Sequence, residues 1–437
     1  MLLNVNHLTC EFRNDPLGID EKKPLLQWQL RADGYGAGQT AYRVCVASAP
    51  ECLNAPDIWD SGRVESIEMR AIYAGRALLS DEKVYWRVCV WDKEGERSAW
   101  SETANWRQGI SHADWTGSWI GWDEGRDQYD PSKPYYCADD FDLGESEPFL
   151  PKPALLRGEF VSEGEAVSAT LYVSAMGLAE MYLNGARAVE GHLIPGISDF
   201  RKRVYYRAYD VTGLVRTGAN ALSAVLADGW YAGYIGLNPR QWWGAKPRLN
   251  AELHIAYADG SRQVVTTDAS WRGCVGAYLY ADIMHGMGYD ATLEPTGWQL
   301  AGYDASAWHP VETGAEYDLI PSAHPGVSIC AHGRWPVKEI RRINDNEAMI
   351  DAGRCLSGVL RIVVRGPRGA RVDLYHAEQL EMDGSELYFR GNRSARQHDC
   401  YILAGEGEEV FQPEFTYHGF RYAHIYGLKD EIGRAHV

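Results

Sequence analysis

The sequence lacks the features that mark several classes of protein. Its nine cysteines are scattered and form no CxxC pair, which argues against a disulfide framework and against a zinc knuckle. The first residues show no basic segment followed by an apolar run, so we predict no signal peptide. No stretch approaches about 18 consecutive apolar residues, so we predict no transmembrane helix. Thiols without a secretion signal indicate a cytoplasmic protein.

Positive charge is also scarce. The formal net charge is -17, and such an acidic surface repels phosphate backbones and anionic membranes, so we predict neither nucleic acid nor membrane as a partner. No GxSxG element, P-loop or dinucleotide glycine fingerprint occurs between a predicted strand and a predicted helix. We therefore exclude serine hydrolases, kinases and dehydrogenases.

What the sequence does contain is the pattern of β-strands. Helical periodicity is nearly absent, whereas apolar residues alternate in short runs, as in 42–47 and 84–91. The 16 Trp and 26 Tyr residues suit β-sandwich cores, and aromatic faces also stack on sugars. For a chain of 437 residues this predicts an all-β protein with three consecutive β-sandwich or jelly-roll domains.

The first half of the chain divides into a sandwich and a connector. Residues 1–109 have the strand spacing of an immunoglobulin or fibronectin III-like sandwich, and we predict Trp28 and Trp86 in its core. Residues 110–152 are rich in Gly, Asp and Pro, and their acidic second part indicates a loop-like connector.

The second half is predicted to hold two more sandwiches. Residues 153–314 resemble a jelly roll, with hairpin turns at Asn184-Gly185 and Asp259-Gly260, where positive φ angles are needed. Residues 315–430 are expected to form another sandwich. The tail 431–437 fits no strand, and its codons could be those of a common sequencing adapter. We interpret the tail as a cloning or assembly artefact and expect the natural protein to continue.

Several short motifs occur in a consistent order from about residue 10 to residue 427. They resemble those of the bacterial α-L-rhamnosidases, a family of inverting glycoside hydrolases. The matching segments are 59–64, 85–88, 91–92, 175–178, 182–185, 199–200, 203–204, 209–212, 228–231, 289–291, 378, 383–384, 392–396 and 415–422.

The resemblance implies where the chemistry lies. The family's catalytic domain is an (α/α)6 barrel that follows the third, concanavalin-like sandwich and carries the general acid and the general base. Inverting hydrolysis needs two carboxyls about 6.5–9.5 Å apart, and no pair in this chain can be assigned to these roles. Met287 stands where a glutamate is expected, which weakens any substrate contact from its loop. We therefore predict no catalytic residue in this chain.

The resemblance also suggests a sugar site in the second sandwich, because related domains of some rhamnosidases bind rhamnose together with calcium. Asp199 and Asn250 are oxygen donors by position and type, so calcium is considered as a cofactor there. A structural loop or a domain interface is the competing interpretation. The candidate substrate-binding residues, with aromatic faces and turn residues, are Asp199, Trp230, Tyr231, Trp242 and Trp243.

Two histidine-containing segments invite a metal or acid–base interpretation. His376 and Glu378 share one face of a predicted strand, and His398-Asp399 follows. Because no third ligand stands out, we predict no metal site. We expect Glu378 to be a buried hydrogen-bonding carboxylate or to face the barrel.

The segment 417–422 could in principle be catalytic, but a structural role fits better. Gly419 permits a bend, and Arg421 is expected to tie the strand to the next domain. Arg393 and Arg396 are expected to form ion pairs or interdomain contacts.

Three functions remain open at this point. The first is the N-terminal portion of an α-L-rhamnosidase, inactive alone, whose partners are rhamnose-containing glycosides. The second is a stand-alone rhamnose-binding protein. The third is a structural scaffold that presents the barrel, with a homodimer left open.

Overall fold

The structure is a computed structural model that describes residues 3–32, 34–132, 135, 147–236, 238–427 and the backbone of 432–436. The chain divides into two compact units. The first comprises Met1–Trp115 and Ser322–Val327, and the second comprises Thr116–Pro321 and Ser328–Val437.

The first unit is a small β-sandwich. Sheet β1-β2-β6 and sheet β4-β3-β7-β8, with β5 on β3, contribute to one apolar core. Trp28 and Trp86 are 3% and 0% exposed, which confirms their predicted place in that core. The strands are β1 (Asn4–Cys10), β2 (Leu25–Arg31), β3 (Ala41–Ala47), β4 (Trp59–Asp60), β5 (Val64–Glu65), β6 (Arg70–Ile72), β7 (Lys83–Trp91) and β8 (Ala104–Arg107).

The second unit begins with the predicted jelly roll. Its strands are β9 (Ile120–Gly121), β10 (Ala154–Ser162), β11 (Ala166–Met176), β12 (Leu178–Leu183), β13 (Ala186–Arg187), β14 (Tyr205–Asp210), β15 (Gly218–Ala227), β16 (Arg248–Tyr257), β17 (Arg262–Thr266) and β18 (Arg272–Val275). One sheet includes β13-β12-β15-β10-β18, and the other includes β9-β16-β11-β14 with β17 on β16. Both predicted hairpins are confirmed: β12 pairs with β13, where Asn184 and Gly185 have φ of 53° and 83°, and β16 pairs with β17.

The remaining strands belong to this unit, except β23. They are β19 (Tyr278–Asp282), β20 (Gly286–Asp290), β21 (His309–Pro310), β22 (Glu312–Thr313), β23 (Ser322–Ala323, in the first unit), β24 (Glu339–Asn344), β25 (Glu347–Gly358), β26 (Arg361–Arg365), β27 (Arg371–Ala377), β28 (His398–Ile402), β29 (Glu408–Phe411), β30 (His418–Tyr426) and β31 (Ile432–His436). β21 extends the first jelly-roll sheet next to β18, and β22 extends the second next to β9.

The third predicted sandwich consists of sheet β19-β20-β28-β27-β30-β25-β24 and sheet β29-β26-β31. Strands β19 and β20 lie within the range assigned from the sequence to the jelly roll, yet β20 pairs in parallel with β28. One apolar cluster includes Leu155, Leu178 and Val225 from the jelly roll together with Ile350 and Phe420 from the third sandwich. The two sandwiches therefore share a core.

The expectation that the tail fits no strand is wrong. The backbone of β31 pairs antiparallel with β26, with Arg361 opposite His436 and Val364 opposite Ile432. A strand edge can accept any chain that satisfies its N–H and C=O groups, so this pairing needs little sequence signal.

The described residues contain very little helix. The one α-helix that they form is α1 (Gly229–Ala232), and none of their helices has the length and apolar composition that crossing a bilayer requires. The 3₁₀ turns are Pro50–Asn54, Arg126–Gln128, Thr212–Leu214, Ala291–Leu293 and Arg390–Asn392.

Candidate functional site

The predicted sugar-binding segment begins where β15 ends. Asp228 is buried and forms ion pairs with Arg126 and Arg240, which are also buried. Burial alone would raise the pKa of Asp228, but the two guanidinium charges outweigh it and hold the pKa below its usual range. The start of α1 is thus fixed by a buried charge cluster.

Tyr231 in α1, a candidate substrate-binding residue, is buried. Its hydroxyl donates to Glu316 at 3.1 Å, and its ring meets Phe200 edge-on at 5.3 Å. Turn residues flank Tyr231 in the sequence, and because turns usually lie at the surface, the sequence did not indicate that this side chain is buried. In the structure the ring packs beneath those turns, so it cannot stack on a sugar.

The two neighbouring tryptophans differ in exposure. Trp242 is 50% exposed, so part of its indole is accessible to a ligand. Trp243 is half-buried, its ring lies 4.8 Å beneath the Arg201 guanidinium, and its carbonyl accepts a hydrogen bond from Tyr317 at 2.8 Å. Trp242 is therefore the better candidate for stacking on a sugar.

The two candidate calcium ligands have structural partners. Asp199 pairs with Arg201 at 3.2 Å at the surface. Asn250 is 2% exposed, and its amide donates to the Gly117 carbonyl at 2.8 Å, which attaches the connector to β16. Calcium in this domain stays a prediction.

Trp230 lines a cavity of about 610 Å3 within the second unit. His192, Trp335 and Tyr417 also line it, as do the polar side chains of Arg361 and Gln412. Trp335 is 50% exposed, with the Arg354 guanidinium 4.0 Å from its ring centre. Aromatic faces beside a few polar groups are typical of small-ligand pockets. Trp335 was not predicted as a site residue, because the residues that line the cavity with it are far apart in the sequence.

The histidines of the two segments belong to two separate groups of side chains. His376, Asp399 and His418 are fully buried, and one ligand-type atom from each lies within 4.8 Å of the others. The third group, His418, was missed because the strand order β28-β27-β30 in the folded sheet, and not sequence spacing, brings it to Asp399. His398 instead contacts Asp373 at 2.7 Å.

The burial of Glu378 and of Met287 can also be compared with the expectations from the sequence. Glu378 is exposed, so the interpretation as a buried carboxylate is wrong. This residue follows directly after the last residue of β27 and lies outside the core. Met287 is 2% exposed and its sulfur accepts the Glu414 N–H at 3.5 Å, so it packs inside the unit.

Two of the arginines named from the sequence, Arg396 and Arg421, form ion pairs inside the second unit, and the expected contact of Arg393 stays a prediction. Arg421 on β30 binds Asp351 on the paired strand β25 at 2.9 and 3.1 Å. Arg396 binds Glu147 at 2.6 Å. The Arg421 contact thus ties two strands of one sheet.

Three family models match the chain in order. Residues 5–112 match the Rha78A-like, N-terminal immunoglobulin domain, and residues 164–339 match the alpha-L-rhamnosidase N-terminal domain. Residues 341–437 match the bacterial alpha-L-rhamnosidase concanavalin-like domain.

Curated proteins and solved structures agree with these models. An α-L-rhamnosidase of Streptomyces avermitilis is 30% identical, over 98% of this chain and 56% of the relative, and one of Alteromonas sp. is 33% identical, over 95% and 44%. The structure of α-L-rhamnosidase from Dictyoglumus thermophilum superposes with a TM-score of 0.89 at 29% identity, over 100% of this chain and 48% of that one. The Streptomyces avermitilis enzyme complexed with L-rhamnose also gives 0.89, at 28% identity, over 99% and 57%. The chain spans about half the length of these relatives.

Proposed function

Because this chain belongs to the bacterial α-L-rhamnosidase family, we propose that it is the N-terminal part of an enzyme that removes terminal α-L-rhamnose from glycosides with inversion. The observation that carries this proposal is the ordered match of three family models from residue 5 to residue 437. The superposition on a rhamnosidase bound to L-rhamnose supports the substrate class.

The chemistry itself belongs to another part of the enzyme. Direct displacement by water needs a general acid and a general base that flank the scissile bond, about 6.5–9.5 Å apart. The described residues form β-sandwiches and one four-residue α-helix, with no helical barrel among them. We therefore propose that this chain does not hydrolyse rhamnosides by itself.

A second proposal concerns rhamnose binding by the jelly roll. Trp242 offers an exposed indole face, and Trp230 lines the cavity described above. Sugars bind such faces through their C–H groups, while nearby charged groups orient the hydroxyls. In this proposal Trp242 stacks on a sugar at the surface and Trp230 contacts a sugar in the cavity, while Tyr231, Trp243 and Asp199 position the surrounding loops.

The first proposal is tested by determining the gene sequence downstream of the codon for Asp430, because residues 431–437 are interpreted as a cloning or assembly artefact. We expect an open reading frame that continues into a segment with helical periodicity and carries candidate catalytic carboxylates. A natural stop codon directly after Asp430 would contradict the proposal that the protein continues into a catalytic domain.

A further inference from the structure

A fully buried group of three side chains lies in the third sandwich, apart from the sugar-binding candidates. His376 is on β27, Asp399 on β28 and His418 on β30, and these strands are neighbours in one sheet. The Asp399 carboxylate oxygen Oδ2 lies 2.9 Å from His418 Nε2 and 3.9 Å from His376 Nε2.

The hydrogen bonds of His376 determine where its proton is. Its Nδ1 lies 2.9 Å from the Gln397 carbonyl oxygen, so Nδ1 carries the hydrogen and Nε2 presents a lone pair. Among the described residues this buried Nε2 has no hydrogen-bond partner, and it faces a carboxylate oxygen. Two buried acceptors that face each other are unfavourable unless a cation lies between them.

The arrangement of the two imidazole rings also suits a shared ion. The two rings stack with centroids 4.1 Å apart, which brings both nitrogen edges to the same carboxylate.

We propose that His376, Asp399 and His418 bind one divalent transition-metal ion, with zinc as the best match. Two imidazole nitrogens and one carboxylate oxygen are a ligand set that zinc uses. Ligand atoms about 2.0–2.1 Å from a tetrahedral zinc lie about 3.4 Å apart, and the observed separations of 2.9 and 3.9 Å bracket this value.

The outer contacts of His376 and Asp399 also suit a metal site, whereas the buried Nδ1 of His418 has no hydrogen-bond partner among the described residues. His376 Nδ1–H donates to a backbone carbonyl, and Asp399 Oδ1 accepts the Met287 N–H at 2.9 Å. Metal ligands are commonly oriented by such second contacts. Metal binding would place the His418 proton on Nδ1 and free its Nε2 for the ion. The ion would link three strands and offset the buried Asp399 charge.

The test begins with the whole chain, unfolded with a chelator and refolded with or without Zn²⁺, because a buried site must fill during folding. After a brief wash with chelator to remove surface ions, elemental analysis should find about one zinc per chain. The melting temperature should be higher for the zinc-refolded protein. Refolding with Co²⁺ should give the visible absorption of a tetrahedral site.

Variants locate the ion. His376→Gln and His418→Gln should each lose the zinc and the thermal shift, whereas the control His398→Gln, which changes a buried histidine of the same sheet, should keep both. If the first two variants do not fold, the refolding result for the unaltered chain decides alone. Zinc-free protein with an unchanged melting temperature, or zinc retained in either folded variant, would overturn the proposal and leave a metal-free Asp399–His418 pair.

Discussion

Asp228 is a carboxylate without access to water that lies between two buried guanidinium groups. Its neighbour Gly229 has a φ of 50°, and a Cβ there would lie 2.4 Å from Leu178 Cγ, so the chain at this corner is fixed both by charge and by close packing. A buried charge that loses its partner is costly, because water cannot replace the lost contact.

We therefore expect Asp228→Asn to lower the free energy of unfolding by about 3–5 kcal/mol in urea titrations. Asp199→Asn is the matched control, because its partner Arg201 lies at the surface, and this substitution should lower the free energy of unfolding far less than Asp228→Asn does. Equal effects for the two variants would contradict the role of burial.

The pH dependence of the Asp228 contribution follows from the direction of its pKa shift. Its pKa in the folded protein is below the ordinary value of about 3.9, so the folded state favours the ionised carboxylate. The stabilisation is present above that value and is lost only as pH falls below it. The difference between wild type and Asp228→Asn should thus stay constant from about pH 5 to pH 8.

Trp242 is the residue that tests sugar binding most simply. Isothermal titration calorimetry with L-rhamnose, with and without calcium, should detect binding that Trp242→Ala weakens about tenfold through the loss of ring stacking. Tyr35→Ala removes an exposed aromatic from the first unit and should leave binding unchanged. The absence of heat for the unaltered chain would remove the binding proposal.

At the scale of strands, local turns could be predicted from the sequence, whereas pairing between strands that are distant in the sequence could not. The Asn184-Gly185 turn could be placed because two adjacent positive φ angles favour those residue types. The partner of β20 could not, because its parallel pairing with β28 joins segments far apart in sequence. For the same reason the meeting of His418 and Asp399 across the sheet left no sequence pattern to detect.

The pairing of β31 with β26 leads to a prediction for the tail. Deletion of residues 431–437 removes the hydrogen-bond partners on one side of β26, so those amides among Arg361–Val364 that point toward β31 and not toward β29 should exchange with deuterium faster. Amides of β10, which lies between β15 and β18, serve as the internal control. Unchanged exchange at Arg361–Val364 would show that the tail does not pair in solution.

At the scale of the molecule, the sequence predicted the all-β class and the family resemblance, and both are confirmed. The shared core of the jelly roll and the third sandwich was not predicted, because strand alternation shows which face is apolar but not which element covers it. The burial of Tyr231 escaped prediction for the same reason.

The central claim is that this chain supplies the non-catalytic modules of a rhamnosidase. It is tested most directly by measuring the release of p-nitrophenol from p-nitrophenyl α-L-rhamnopyranoside by the purified chain, with the Streptomyces avermitilis α-L-rhamnosidase as positive control. We predict no release above the uncatalysed rate, because the described residues provide β-sandwiches and no helical barrel to hold the two carboxyls. Turnover that copurifies with the folded chain would contradict the claim.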